Sequence, residues 1–127
     1  MTTPIAPTTT DVSPKKDGSS ILVQWTPVTE NNTCNPVSFP QHSDKSIQVL
    51  GTFGSASVAV QGSNDLPGTP TNFAALNDPS STVIAITSAG VKAVLENTVH
   101  VKPVPSGGSS QSLTIQMLFH FTNPART

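Results

Sequence analysis

Charged side chains, aromatic side chains and cysteine are all scarce in this sequence. Of its 127 residues, 10% are charged and 5% are aromatic, tyrosine is absent, and Trp25 and Cys34 are single residues of their types. One cysteine excludes an internal disulfide and argues against a small secreted scaffold held by such bridges. The net charge of −1 gives no long-range field that would gather nucleic acid or anionic lipid. The sequence therefore predicts no nucleic-acid partner.

Long apolar runs are also missing. No stretch approaches the roughly 20 apolar residues that a membrane-spanning helix needs. The first four residues, Met1 to Pro4, have neither the basic region nor the apolar core of a signal peptide. We therefore expect a protein that is made and folded in a cytoplasm and has no membrane partner.

Proline, glycine and small polar residues are abundant, whereas charged residues are few. Twelve prolines and eight glycines interrupt the chain, and such residues are typical of proteins built from short strands and many turns. A chain of 127 residues is long enough for one core and too short for two.

Apolar and polar residues alternate in several short stretches. The alternation is clearest over residues 113–121 and recurs, among other places, over 21–25, 47–53 and 58–60. A period of two marks a strand with one buried face. Roughly seven such strands, without convincing crossover helices, predict a sandwich or barrel. We predict that residues 20–127 form a single antiparallel β-sandwich, for which a jelly roll is one arrangement.

The core of this sandwich follows from the same alternation. The odd-numbered positions of the last strand face inward, and they meet residues from the other strands. The predicted core contains Leu113, Ile115, Met117, Phe119 and Phe121, with Trp25, Val49, Val58, Val60 and Ile84 as companions.

Two local predictions concern connections. Gly54 and Ser55 separate two strands so closely that we expect an antiparallel hairpin between residues 47–53 and 58–60. In residues 89–96, Val91, Val94 and Leu95 have helical spacing, so we expect at most one or two helical turns there.

Residues 1–19 differ from the rest in having no apolar period. This segment is rich in threonine and proline, and we predict an extended arm that contributes to contacts rather than to folding. An extended segment can add a strand to the sheet edge of a neighbour. Its predicted contact residues, toward a capsid or a second subunit, are Ile5, Val12, Lys15 and Lys16.

The residues capable of chemistry are scattered. A zinc site needs three or four ligands, often closely spaced, whereas His42, His100 and His120 are far apart in sequence. Alternation could place His100 and His120 on one outer face of neighbouring strands, although solvated or interface histidines are the favoured interpretation.

Cys34 and the acidic residues are also interpreted as structural rather than catalytic. Cys34 has no local motif of a cysteine enzyme and is interpreted as a buried or bystander thiol. Asp65 and Asp78 lie in turns, where aspartate bonds nearby backbone groups. We therefore predict no catalytic, cofactor-binding or metal-binding residues and no enzyme activity.

Two turns give the sequence a family resemblance. One strand ends in Gly-Thr-Phe-Gly at residues 51–54, and the next ends in Gly-Ser-Asn-Asp at 62–65. The stretch 46–65 resembles the small capsid decoration proteins of tailed bacteriophages. The resemblance continues through residues 73–78, 89–96, 99–103, 106–108 and 112–115. It departs from the family at Leu66 and Lys102, where the relatives often carry glycine and arginine.

This resemblance implies a non-enzymatic virion protein that binds the outer shell in many copies. The expected partners are the major capsid protein and further copies of the chain, as a dimer or trimer, and the expected location is the capsid surface. A tail or fibre β-sandwich that binds carbohydrate or a receptor is the alternative. Sugar sites usually expose aromatic platforms, and with tyrosine absent and one tryptophan the chain has little from which to build one.

Overall fold

The computed structural model describes residues 3–121. These residues form strands joined by turns and loops, with no helix among them, which confirms the all-β prediction. The strands are β1 Thr3–Ile5, β2 Thr8–Asp11, β3 Ser20–Val28, β4 Asn32–Cys34, β5 Asp44–Thr52, β6 Ala56–Ser63, β7 Ala74–Ala75, β8 Gly90–Val94, β9 His100–Gly107 and β10 Ser112–His120.

The strands are arranged in a large sheet, a small sheet and a two-stranded ribbon. The large sheet has five strands in the order β2-β3-β10-β5-β8, and the small sheet has three in the order β7-β6-β9. Neighbouring strands in both sheets are antiparallel. The ribbon pairs β1 with β4 in parallel. The last strand, β10, lies at the centre of the large sheet, which explains why its alternation is the longest in the sequence.

A single apolar core contains inward-facing residues of both sheets. All the predicted core residues except Phe121 are buried. Val37 and Phe39, from the connection before β5, pack against this core as partly buried side chains. Phe121 lies just beyond the end of β10 and is 38% exposed, so its assignment to the core was wrong. The alternation continues past the point at which the sheet ends.

The predicted hairpin between residues 47–53 and 58–60 is wrong. β5 pairs with β10 and β8, whereas β6 pairs with β9 and β7. The turn at Gly54 and Ser55 therefore carries the chain from the large sheet to the small one. Both strands bury their apolar face in the same core, and sequence alternation cannot distinguish a hairpin from two strands that face each other across a sandwich.

The short helix allowed at residues 89–96 is a strand. Gly90–Val94 forms β8 and pairs with β5 at the edge of the large sheet. Its side chains are exposed except for Val94, and Val91 is 61% exposed. Because an isolated helix this short is marginal, the backbone pairing offered by β5 decides the conformation.

The segment predicted to be an arm is extended, and it pairs with its own chain. β1 pairs with β4, and β2 pairs with β3 at the edge of the large sheet. The residues of these two strands are exposed except for Ile5 and Asp11, and Ile5 packs against the core. The division of the chain at residue 20 stays a prediction.

Candidate binding surface

The three histidines occupy separate environments. His100 is buried on β9 of the small sheet, where its Nε2 donates to the backbone oxygen of Asp65 at 3.1 Å. His120 is exposed on β10 of the large sheet, with its Nδ1 2.8 Å from Ser20 Oγ. The two lie in different sheets, so the two-histidine arrangement that alternation allowed is wrong. His42 is buried between loops and donates from Nε2 to Gly18 O at 2.8 Å.

Cys34 is a buried thiol, as predicted. Its side chain is 5% exposed and lines a small pocket of about 70 Å³ beside Lys102 and Pro103. Burial raises the pKa of Cys34 to about 12, although the nearby positive charge of Lys102 opposes this rise. Because the thiolate is the nucleophilic form, burial disfavours reaction of this thiol at neutral pH.

The acidic side chains bond to the protein's own turns. The carboxylate of Asp65 accepts hydrogen bonds from the backbone amides of Thr71 at 2.8 Å and Asn72 at 2.9 Å. Asp78 accepts from the amides of Ser80 at 3.0 Å and Thr82 at 3.1 Å. Both arrangements confirm the turn role predicted for these aspartates, and the hydrogen bonds lower the pKa of each carboxyl.

Within residues 3–121, no group of three or more histidine, cysteine or acidic side chains is placed to hold a metal ion. The same part of the chain contains no helix long and apolar enough to cross a membrane.

The predicted contact residues of the arm lie in different surroundings. Ile5 packs against the chain's own core. Val12 is 42% exposed at the start of the loop between β2 and β3, and Lys15 is exposed in the same loop. Lys16 donates from Nζ to the backbone oxygen of Asp11 at 2.9 Å, so its side chain folds back over the loop. Val12 and Lys15 are therefore the members of the set best placed to touch another molecule.

A surface that the sequence analysis did not single out is the outer face of the large sheet, formed by the side chains that point away from the core. Across its middle, strand pairing aligns one row of residues. In strand order, this row contains Thr8, Gln24, Gln116, Gln48 and Val91.

The neighbouring row is also free of charge. It contains Thr10, Leu22, Leu118, Ser46 and Ala93 in the same strand order. On the other side of the middle row, Thr26, Thr114 and Leu50 continue the pattern. Among the described side chains of this face, charge is confined to Asp44 at one end, beside His120. The signal for this face was in the sequence, in the even-numbered positions of residues 112–120, which are polar or aliphatic and carry no lysine, arginine or acid.

Polar groups on this face bond to one another across the strands. Gln24 Nε2 donates to Gln116 Oε1 at 3.0 Å, and Gln116 Nε2 donates to Gln48 Oε1 at 2.9 Å. The hydroxyls of Thr26 and Thr114 are 3.0 Å apart in the next polar pair. These bonds fix the side chains of three adjacent strands in one arrangement.

The segments that carry the family resemblance contact each other. Gly51 and Gly54 both have positive φ, at 111° and 55°. A Cβ at Gly51 would meet the carbonyl oxygen of Ser112, and a Cβ at Gly54 would meet that of Ser109. The Gly-Thr-Phe-Gly turn therefore packs directly on the chain that leads into β10.

The second resembling turn is tied to a distant segment in a similar way. Asn64 Oδ1 accepts the backbone amide of Val99 at 3.0 Å. In the adjoining loops, Asn77 donates from its backbone nitrogen at 2.7 Å and its Nδ2 at 2.6 Å to the carboxylate of Glu96. The resembling segments therefore contact one another in three pairs, 51–54 with 112–115, 62–65 with 99–103, and 73–78 with 89–96.

Lys102 and Leu66, where the sequence departs from the pattern it resembles, lie in different surroundings. Lys102 Nζ lies 4.2 Å from the centroid of the Phe73 ring, so the lysine places a cation over an aromatic face. Leu66 is 86% exposed in the loop after β6.

Comparisons with known proteins identify no family for this chain. No family model matches it, and no curated protein matches it. The solved structures that are similar to it include the following three. The crystal structure of FeII HppE has a TM-score of 0.45 and 11% identity, over 89% of this chain and 56% of that one. Hydroxypropylphosphonic acid epoxidase from S. wedmorenis, in complex with fosfomycin, has a TM-score of 0.41 and 11% identity, over 87% and 48%.

The third similar structure is a pilus of Bacillus endospore appendages, with a TM-score of 0.35 and 8% identity over 93% of this chain and 91% of that one. The chain spans about half the length of the first two proteins. At these TM-scores and identities, the similarities carry no argument about the function of this chain.

Proposed function

We propose that this chain is a non-enzymatic virion structural protein, a capsid decoration or cement protein of a tailed bacteriophage. It binds the outer surface of the shell, through the major capsid protein, in many copies and stabilises that shell. Modest affinity for each copy is sufficient, because attachment at many equivalent positions of a symmetric lattice adds avidity.

The observation that carries the proposal is the joining of the resembling segments in space. The turns at 51–54 and 62–65 resemble decoration proteins, and each packs on or bonds to another resembling segment. These contacts give the resembling residues a structural role in this fold, and the sequence resemblance itself supports the proposed role in the virion.

The experiment is a shell-binding assay with the full chain. Purified protein is added to particles that lack it, and bound and free protein are separated by gradient sedimentation. We expect saturable binding at hundreds of sites, together with a higher temperature of particle disruption. No binding to such particles, or binding at a dozen sites or fewer, would contradict decoration, and the latter result would favour a tail location.

Paired variants locate the contact. Val12→Asp places a charge at the exposed loop between β2 and β3, and it should weaken shell binding at least tenfold if this loop touches the shell. Val83→Asp is the control, since Val83 is 55% exposed and belongs to a different loop. Equal shell binding by the two variants would exclude the loop between β2 and β3 as the contact, without contradicting the decoration proposal.

A further inference from the structure

We propose that the outer face of the large sheet binds the same face of a second copy of this chain. The inference concerns self-association in solution and does not depend on the proposed function. It rests on the charge, the hydrogen bonding and the area of this face.

The absence of charge from the middle of this face favours contact between two identical faces. In a two-fold interface the same patch is used by both subunits, so a charge near the axis meets its own copy. The middle of this face presents amides, hydroxyls and aliphatic side chains, and its charged residue, Asp44, lies at one end. The outward face of an antiparallel sheet is commonly solvated and polar, with charges mixed into it. A face without them avoids like-charge repulsion when two copies meet.

The hydrogen bonding of the face lowers the cost of covering it. Gln116 both accepts from Gln24 and donates to Gln48, at 3.0 and 2.9 Å. A polar group that already has a partner loses less when water is removed. Side chains held in one arrangement also lose less freedom on association. The row of glutamines is thus pre-organised for contact.

Aliphatic side chains supply the attraction beside this row. Leu22 and Leu118 are opposite each other on β3 and β10 and are half-buried. Leu50 and Val91 are 37% and 61% exposed, respectively. Burial of such apolar area is the main favourable contribution to association.

The area is sufficient for a specific interface. From the strand spacing and the rise per residue, the strands of the large sheet cover about 600 Å². Two copies face to face would bury about 1,200 Å² in total, which is the lower end of the range for stable specific interfaces.

Analytical ultracentrifugation of the full chain tests the inference. Across a micromolar concentration series, the wild type should change from its monomer mass of 13.2 kDa to twice that value. Gln116→Lys places like charges at the centre of the paired faces and should keep the chain monomeric. Gln48→Lys, at an exposed position of the same row, should act in the same direction. Ser57→Lys is the matched control on the outward side of the small sheet and should still form dimers.

A mixture of two charge variants distinguishes loss of dimerisation caused by repulsion from loss caused by a damaged fold. Gln116→Lys and Gln116→Glu should each be monomeric alone, and an equimolar mixture should dimerise because opposite charges then meet. Circular dichroism of each variant checks that the sheet is intact. A wild type that stays monomeric throughout the series overturns the inference, as does an oligomer that Gln116→Lys and Gln48→Lys leave unchanged. A monomer that still decorates shells would overturn self-association alone.

Discussion

Phe119 is a large core residue whose truncation tests the predicted core directly. Its side chain has no exposed surface, and its ring centroid lies 5.1 Å from that of Phe39. We expect Phe119→Ala to lower the free energy of unfolding by about 3–5 kcal/mol, as large core truncations do. Phe121→Ala is the control and should cost less than half as much, because Phe121 is 38% exposed. Chemical denaturation measures both, and a loss below about 1 kcal/mol for Phe119→Ala would contradict this assignment.

The stability of the loop after β6 depends on the ionisation of Asp65. Hydrogen bonds from Asn72, and then from Thr71, lower the pKa of this carboxyl from 3.8 to about 2. Since the folded pKa is below the unfolded one, the carboxylate stabilises the loop above pH 3.8 and this contribution is lost as the pH falls toward 2. A titration followed by the NMR shifts of the Thr71 and Asn72 amides should show the low midpoint. Asp65→Asn should abolish that transition, and a wild-type midpoint near 3.8 would show that the hydrogen bonds do not form in solution.

The turn between β5 and β6 is the element that directs the chain from one sheet to the other. Gly54 has a φ of 55°, and a Cβ there would meet the Ser109 carbonyl oxygen. Gly18 has a φ of 78° with nothing within 4 Å of such a Cβ. Gly18→Ala should cost about 1–2 kcal/mol, for the left-handed backbone alone. Gly54→Ala should cost clearly more in the same denaturation experiment. Equal losses would show that the turn does not pack on the Ser109 segment.

The first strand tests whether residues 1–19 belong to the folded unit. Ile5 packs against the core from β1, whereas Thr9 of β2 is exposed. Ile5→Ala should lower the free energy of unfolding by about 2 kcal/mol, the lower end of such truncations because the residue is only partly buried. Thr9→Ala should change it by less than about 0.5 kcal/mol, as a surface substitution does. No loss for Ile5→Ala would support the separate contact arm that the sequence predicts.

The strands with a buried alternating face could be predicted from sequence, and their partners could not. Residues 113–121 show their period because β10 is flanked by strands on both sides and buries one face. The pairing of β5 with β10 joins residues far apart in the chain, and no local pattern records it. β8 has mostly exposed side chains, so its sequence carries little strand signal and its accidental helical spacing was misleading.

The candidate surface was missed for a related reason. A search for chemistry looks for charged and reactive side chains, and the outer face of the large sheet is defined by uncharged ones. Its coherence also depends on strand order, because Gln24, Gln48 and Gln116 become neighbours only when β3, β10 and β5 lie side by side. By contrast, the turn roles of Asp65 and Asp78 are local and were predicted.

At the scale of the whole molecule, residues 3–121 form a β-sandwich with one core and few charged side chains. The acidic groups of Asp65, Asp78 and Glu96 bond within the chain, and Lys45 is buried with its Nζ donating to Asn97 Oδ1 at 2.8 Å. Much of the small charge content therefore stabilises loops. Exposed charge remains at positions such as Lys15 and Lys92, whereas amides, hydroxyls and aliphatic groups make up the middle of the outer face of the large sheet.

The most direct test of decoration is the number of copies per particle. Virions produced from the genome that encodes this chain can be purified and analysed by quantitative mass spectrometry, with the major capsid protein as the internal standard. We expect hundreds of copies per virion, in a fixed ratio to the capsid protein. A few copies or a dozen would place the chain in the tail, and its absence from purified virions would contradict a structural role in the particle.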